Sequence, residues 1–387
     1  MTRRLLVEGW RAIHHSYALI AQAHCLCLLR RPGIDLRFRD LPYHSDAWRP
    51  TIGLFDRDDE ARLAGVPAPE SAFDPDTTFS MHPERPDFSP PSTGRKFVFG
   101  TPEHRVLPPA SVIGAGAASD LAPSIEIVTP SHWTAVAYER FGFGRERIHV
   151  VPHGIDPALV HPDPASRGAV RTALGIDDDF AFMSIGAMTP NKGIGLLLAA
   201  FSAVTERHPA VRLVLKGADA LYPSRDFLKA ALDTLSASAR DAVVNRLVYH
   251  GSTFSTRRMA AFLRAADCYV APYLAEGFNL PVLESAGSGT AVICTAGGPT
   301  DDFTTDAFAA RLSSRIMQST RADGRVEEAL APDYDDLVET MRAAAADPDL
   351  TRSRGAAGAR YVGEHFTWER VTDMLVDAFT ASEGPGR

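Results

Sequence analysis

Lysine is nearly missing from this chain, with four residues (Lys96, Lys192, Lys216, Lys229) against 36 arginines in 387. The net charge is −8 and the sequence pI near 5.9, which speaks against a dedicated nucleic-acid binder. Cysteine is scarce too. Cys25, Cys27, Cys268 and Cys294 are too few and too scattered for a disulfide framework, and no second Cys/His pair stands near Cys25 and Cys27 to complete a zinc site. All four read as reduced, buried thiols of an intracellular protein. No apolar run reaches the ~18 residues of a spanning helix. Arg3 and Arg4 precede apolar residues, but Glu8, Arg11, His14 and His15 interrupt the run before it becomes a signal sequence. No Gly-x-Gly-x-x-Gly follows the first strand, which argues against a nicotinamide dehydrogenase. No Asp-x-Asp follows a strand either. Asp177-Asp178-Asp179 reads as a surface turn, and Asp301-Asp302 trails a glycine-rich loop, so no metal ion is required.

What is present is ordinary globular material: 45% hydrophobic and 23% charged side chains, enough length for two domains. Short apolar runs bounded by turn residues alternate with amphipathic segments. Strands are predicted at 4–7, 36–38, 96–99, 125–129 and 147–152, with a helix capped by Ser16 and another over 134–141. Residues 41–95 are rich in Pro, Asp and Ser and hold short elements and long loops. Residues 157–168 read as an interdomain linker and hinge. The alternation then restarts, with strands at 180–185, 211–216, 246–249, 268–271 and 291–294. Helices are predicted between these strands and over 335–345 and 368–381. Such alternation means right-handed βαβ units and parallel sheets, hence an α/β chain of two doubly wound domains. Residues 1–50 hold eight arginines and four acids, a local charge of +4. This is read as a solvated face, with a surface that meets anionic lipid, as in peripheral membrane contact, or an anionic acceptor as the sharper alternative.

Ligands of doubly wound sheets bind beyond the carboxyl ends of strands, so those loops are where chemistry is sought. After strand 180–185 comes Gly186-Ala187-Met188-Thr189-Pro190-Asn191-Lys192-Gly193, a tight turn and a cation just ahead of a helix. Lys216-Gly217 ends the next strand. The strongest signal is Glu276-Gly277-Phe278-Asn279-Leu280-Pro281-Val282-Leu283-Glu284. Pro281 suits the first helical turn, and the peptide groups of residues 277–280 form an anion cradle. Glu284 is a carboxylate on a largely apolar segment, costly unless hydroxyl donors satisfy it, as a ribose diol would.

Two glutamates with seven residues between them resemble the signature of the family 4 retaining glycosyltransferases of the GT-B fold. Lys192-Gly193, Thr129-Pro130-Ser131, Trp368-Glu369-Arg370-Val371 and Val150-Val151-Pro152-His153-Gly154-Ile155-Asp156 match further motifs in the right order. The resemblance implies two Rossmann-like domains facing across a cleft. An acceptor domain at 1–156 is completed by a C-terminal helix at 367–387, and a donor domain occupies 169–366. It implies a cytoplasmic, metal-independent hexosyltransferase of polysaccharide or glycolipid assembly, with a UDP- or GDP-sugar co-substrate and a glycan, glycolipid or small-molecule acceptor. By position, Glu284 would hold the ribose, Glu276 the transferred sugar, and Lys192 the diphosphate. Gly186 and the peptide groups of residues 277–280 would help with the diphosphate, and the peptides at Tyr249–Gly251 would meet the base. Ala187 stands where the family has an arginine, and Lys216 is expected to supply that charge. Glu103 or His104 would lie nearest the reacting carbon, with His14 and His15 as alternatives. A nucleotide-sugar epimerase or hydrolase, and a non-catalytic partner subunit, are the rival readings.

Overall fold

A computed structural model describes residues 2–82, 85–115 and 120–381. The chain forms two compact units, the first comprising Met1–Gly154, Ser319–Glu327 and Phe366–Arg387, the second Ile155–Gln318 and Glu328–His365. The first begins with β1 (Arg3–Gly9), α1 (Ser16–Leu28), β2 (Ile34–Asp40), α2 (Arg57–Ala64) and β3 (Thr77–Ser80). It continues with β4 (Arg95–Phe99), β5 (Ile125–Thr129), α3 (His132–Phe141) and β6 (Ile148–Val150). Its sheet runs β2-β1-β3-β4-β5-β6, parallel at every pairing. β5 is buried along its whole length, as expected of a parallel strand covered on both faces. Glu126, at its centre, survives burial because Arg95 pairs with one carboxylate oxygen and His149 Nε2 lies 2.5 Å from the other.

The second unit opens with α4 (Pro164–Leu174), β7 (Phe180–Ile185), α5 (Ile194–Thr205), β8 (Val211–Lys216) and α6 (Ser224–Asp233). It goes on through α7 (Ala237–Val244), β9 (Leu247–His250), α8 (Thr256–Arg264), β10 (Cys268–Ala271), α9 (Leu280–Gly287), β11 (Ala291–Thr295) and β12 (Ala309–Leu312). A two-stranded ribbon of β13 (Ser314–Thr320) and β14 (Val326–Pro332), whose Ser319–Glu327 tip counts with the first unit, precedes α10 (Tyr334–Ala346) and α11 (Pro348–His365). The sheet order is β12-β11-β10-β7-β8-β9, again parallel. The last helix, α12 (Trp368–Ala381), rejoins the first unit, where Phe379 packs 4.8 Å from the Phe97 ring. Both doubly wound sheets read from the sequence are therefore present, as is the returning C-terminal helix; its expected end at 382–387 lies outside the described residues.

Several expectations are corrected. The helix after β1 is capped by His15, whose Nδ1 accepts from Tyr17 N, and Ser16 is its first residue. The 157–168 segment is no simple linker. It belongs to the second unit, and Asp163 caps a helix with Pro164 in its first turn, so the prolines that suggested a break start an element instead. α11 and the β13–β14 ribbon went unread, being Gly- and Ala-rich and charge-dense respectively. The Arg-rich start is no free basic patch. Arg4, Arg11, Arg30, Arg31, Arg37 and Arg39 pair with acids including Asp74, Asp40, Glu369, Asp373, Glu70 and Glu8, several of them distant in sequence. The local excess of +4 is thus met within the unit, which removes the basis for a membrane-binding face.

The C-terminal helix docks through buried polar contacts. His24 Nδ1 lies 2.8 Å from Thr372 Oγ1, and Gly154 lets the backbone of Trp368 approach, since a Cβ there would lie 2.6 Å from Trp368 N. His153 is 3% exposed, beside Phe99 and Trp368. Burial lowers both His24 and His153 to about 3, and the charge of His24 adds to the shift at His153. Their folded values lie below the unfolded one, so the stability they support is complete above pH ~6.5 and lost as pH falls. Urea unfolding should show a loss of about 2 kcal/mol per buried histidine between pH 7.5 and pH 5. His153→Asn should reduce that loss, and an unchanged profile would contradict the assignment.

Candidate functional site

In the second unit two loops leave the carboxyl ends of the neighbouring strands β7 and β10. The first ends in a turn at Pro190–Lys192, after which Gly193 takes φ 71° and starts α5. A Cβ on Gly193 would lie 1.9 Å from Pro272 O, so only glycine lets the first loop rest on the second. Asn191 then joins them. Its carbonyl accepts from Leu274 N at 2.7 Å, and its side-chain amide donates to Ala275 O at 3.2 Å. Thr189 Oγ1 donates to Asn191 Oδ1 at 2.6 Å and sets the carboxamide's orientation. This docking places Lys192 Nζ 2.5 Å from Glu276 Oε1, with Glu276 only 5% exposed. The stem of Lys192 runs over Gly186, where a Cβ would meet its carbons at 3.6 Å.

The β10 loop is also secured from the other side. The buried Tyr273 hydroxyl donates to Thr295 O at 3.1 Å and lies 2.8 Å from Thr300 Oγ1, while Phe278 stacks on Phe303 with ring centres 4.6 Å apart. Beyond Phe278, Asn279 has φ 72° and α9 begins without a side-chain cap. The Leu280 N–H has no acceptor among the described residues, and Pro281 has no N–H, so the helix start is open to an anion. Glu284 lies one turn further on. Its carboxylate has no hydrogen-bond or ion-pair partner among the described residues, and burial raises it to about 7. Tyr269 of β10 bonds the backbone of Ile185 through its hydroxyl. Burial pushes that hydroxyl up, and the charges of Glu276 and Glu284 act in the same direction, so one ring feels both carboxylates.

The structure therefore gathers Lys192, Glu276, Glu284, Gly186 and residues 277–280. Lys216 keeps different company. Its ammonium donates to Gly217 O, lies 5.0 Å from the Phe254 ring, and has Asp219 and Arg258 as its charged neighbours; burial lowers it to about 8. It does not join the Lys192–Glu276 pair, because the last residue of β8 is turned in beneath its own loop. The carbonyls of His250 and Gly251, expected near the base, each accept a bond within the unit. Gly251 O accepts from Asp219 N at 3.0 Å, His250 O accepts from Gly217 N at 2.8 Å, and the Asp219 carboxylate fills the space where a Cβ of Gly251 would be. Glu103 and His104 follow β4 in the first unit, where Glu103 O accepts from the Trp133 indole at 2.7 Å. His15 is held at about 4 by burial, then by the charges of His14 and His44, and caps α1. Between β4 and β5, residues 116–119 lie outside the described residues. Asn191, Tyr269 and Tyr273 were missed: an asparagine in a turn and tyrosines on a strand carry no functional signal in one dimension.

Residues 179–316, which include the whole constellation, match the family described as Glycosyl transferases group 1. This segment is a glycosyl transferases group 1 domain. The D-inositol 3-phosphate glycosyltransferase of Geodermatophilus obscurus is 31% identical over 247 residues, 63% of this chain and 49% of that protein. The chain spans about half the length of the curated relatives it matches. Sucrose-phosphate synthase from Thermosynechococcus elongatus superposes with TM-score 0.67 at 15% identity, covering 99% of this chain and all of the other. Anabaena HepE, solved with UDP-glucose, gives TM-score 0.67 at 14% identity over 98% of this chain and 99% of its own. These structural likenesses establish the GT-B fold. No helix among the described residues is long and apolar enough to cross a membrane.

Glu284 carries a stability cost in the empty group 1 domain. Its folded carboxyl titrates above the unfolded value, so its ionisation disfavours the fold increasingly as pH rises from about 4.5 to about 7. Glu284→Gln should therefore stabilise the unliganded protein by about 1–3 kcal/mol at pH 8, allowing for partial exposure, and change little at pH 5. Thermal melts at the two pH values check this, and equal shifts at both would contradict it.

Proposed function

We propose that the chain is a retaining glycosyltransferase that moves a hexose from a UDP- or GDP-sugar to a hydroxyl of a glycan, glycolipid or small-molecule acceptor. The observation that carries this reading is the pairing of Lys192 with Glu276 beside a carboxylate, Glu284, that no group among the described residues satisfies. A ribose diol would give Glu284 two hydroxyl donors. The diphosphate would take Lys192 as its cation and the open start of α9 as its amide partner. Glu276 would then accept from hydroxyls of the transferred sugar. UDP-glucose in the structurally similar HepE supports a sugar nucleotide in this type of domain.

As the bond to the sugar lengthens, negative charge grows on the departing phosphate while the ring becomes oxocarbenium-like. Lys192 and the helix amides face that growing charge, so they stabilise the transition state more than the ground state. The acceptor hydroxyl would attack from the side of the leaving group and pass its proton to the phosphate, which accounts for retention without a dedicated base. No metal ion is needed in this scheme. The first unit would hold the acceptor, with Glu103 and His104 as its nearest candidate contacts. The free, buried cysteines fit a reducing, cytoplasmic setting.

Isothermal titration with UDP- and GDP-sugars tests the reading, and absence of binding to every nucleotide sugar would overturn it. Lys192→Ala should lower kcat about 10²–10³-fold. If ionised Glu284 grips the ribose, affinity should rise about tenfold from pH 6 to pH 8, because its carboxyl titrates at about 7. Glu284→Gln should bind weakly with no such pH dependence.

A further inference from the structure

Asn279 does not behave as an asparagine at the head of a helix usually does. Such a residue has extended backbone and accepts a hydrogen bond from an amide of the first turn. Here it sits at φ 72°, ψ 63°, a left-handed conformation that glycine adopts freely, and its side chain makes no cap bond. The second helical position, Pro281, has no N–H to offer it. Asn279 is nevertheless 8% exposed, and its carboxamide has no hydrogen-bond partner among the described residues. A largely buried residue whose carboxamide no group among the described residues pairs, on a backbone that glycine would fit better, is destabilising for the fold by itself. Such a residue is explained by a partner that arrives with the ligand.

The surroundings indicate which part of the ligand that is. Asn279 stands three residues after Glu276, whose carboxylate already holds Lys192, and five before the unpartnered Glu284. Phosphate oxygens only accept, and Lys192 with the Leu280 amide already supplies donors to an anion. A carboxamide donates and accepts, and so does a sugar hydroxyl. We propose that the Asn279 carboxamide hydrogen-bonds a hydroxyl of the transferred hexose and sets the enzyme's preference among hexose epimers. This rests on the donor-site reading above. A site built to pair a hydroxyl discriminates strongly against a sugar that places it elsewhere, because the amide, once the ligand covers it, is then left unmet.

The test is isothermal titration of wild type and Asn279→Gly with UDP, GDP and nucleotide sugars differing at single hexose hydroxyls (glucose, galactose, mannose). Glycine suits φ 72°, so the variant should melt at or above the wild-type temperature, and any lost binding is then not lost folding. The expected result is a tenfold or greater loss of affinity for the preferred sugar nucleotide, a flattened epimer preference, and unchanged binding of free UDP or GDP. An equal loss on the free nucleotides would make Asn279 a phosphate contact and overturn the proposal. Wild-type binding of nucleotide sugars with an unaltered Asn279→Gly profile would overturn the asparagine's role alone. No wild-type binding to any nucleotide sugar would overturn the donor-site reading, and this proposal with it.

Discussion

The contact between Lys192 and Glu276 depends on a missing atom. Gly193 has no Cβ, so the loop after β7 can rest on the carbonyl of Pro272, and Asn191 can bond both Leu274 and Ala275. Everything in the group 1 domain that resembles a site follows from that docking. It brings a cation from one strand end to a carboxylate from the next, and it holds the β10 loop from one side. The Tyr273 hydroxyl and the Phe278–Phe303 stack hold the same loop from the other. A loop fixed at both flanks presents its amides in one arrangement before any ligand arrives, which is what electrostatic stabilisation of a transition state requires.

The fold concentrates its backbone strain in the same kind of place. Among the described residues four non-glycine ones have positive φ, and Ala12, Arg105, Met188 and Asn279 each lie beyond the carboxyl end of a parallel strand. Sheets of this kind have ordered cores and leave their irregular backbone to the strand-to-helix loops. The loop after β10 also leads into the open start of α9, with the Asn279 carboxamide before it and the Glu284 carboxylate one turn inside it. The sheet beneath tolerates them because it is buried and closely packed from Phe180 through Leu312.

The two sheets were legible because parallel strands covered on both faces read as short apolar runs, and several of these, such as Phe180–Ile185 and Val211–Lys216, have the predicted bounds. The ribbon at β13–β14 was not, since β13 is almost wholly exposed and neither strand alternates apolar with polar residues. Local composition misled in two places. The prolines of 157–168 suggested a hinge, yet Pro164 is compatible with the first turn of a helix, where its missing N–H costs nothing. The arginines of residues 1–50 suggested a basic face, but their partners, Asp74, Asp76, Glu70, Glu369 and Asp373, lie elsewhere along the chain.

The alternation of most sheet strands with helices, and the residue types at 192, 276 and 284, follow from sequence alone, because hydrophobic period and motif spacing are one-dimensional properties. Which charges meet is not such a property. Lys192 and Lys216 look alike in the string, each a lysine ahead of a glycine near a strand's end. Only the folded chain separates them, turning one onto Glu276 and the other beneath Phe254, because a side chain's neighbours are set by which loops can approach and not by its own position along the chain.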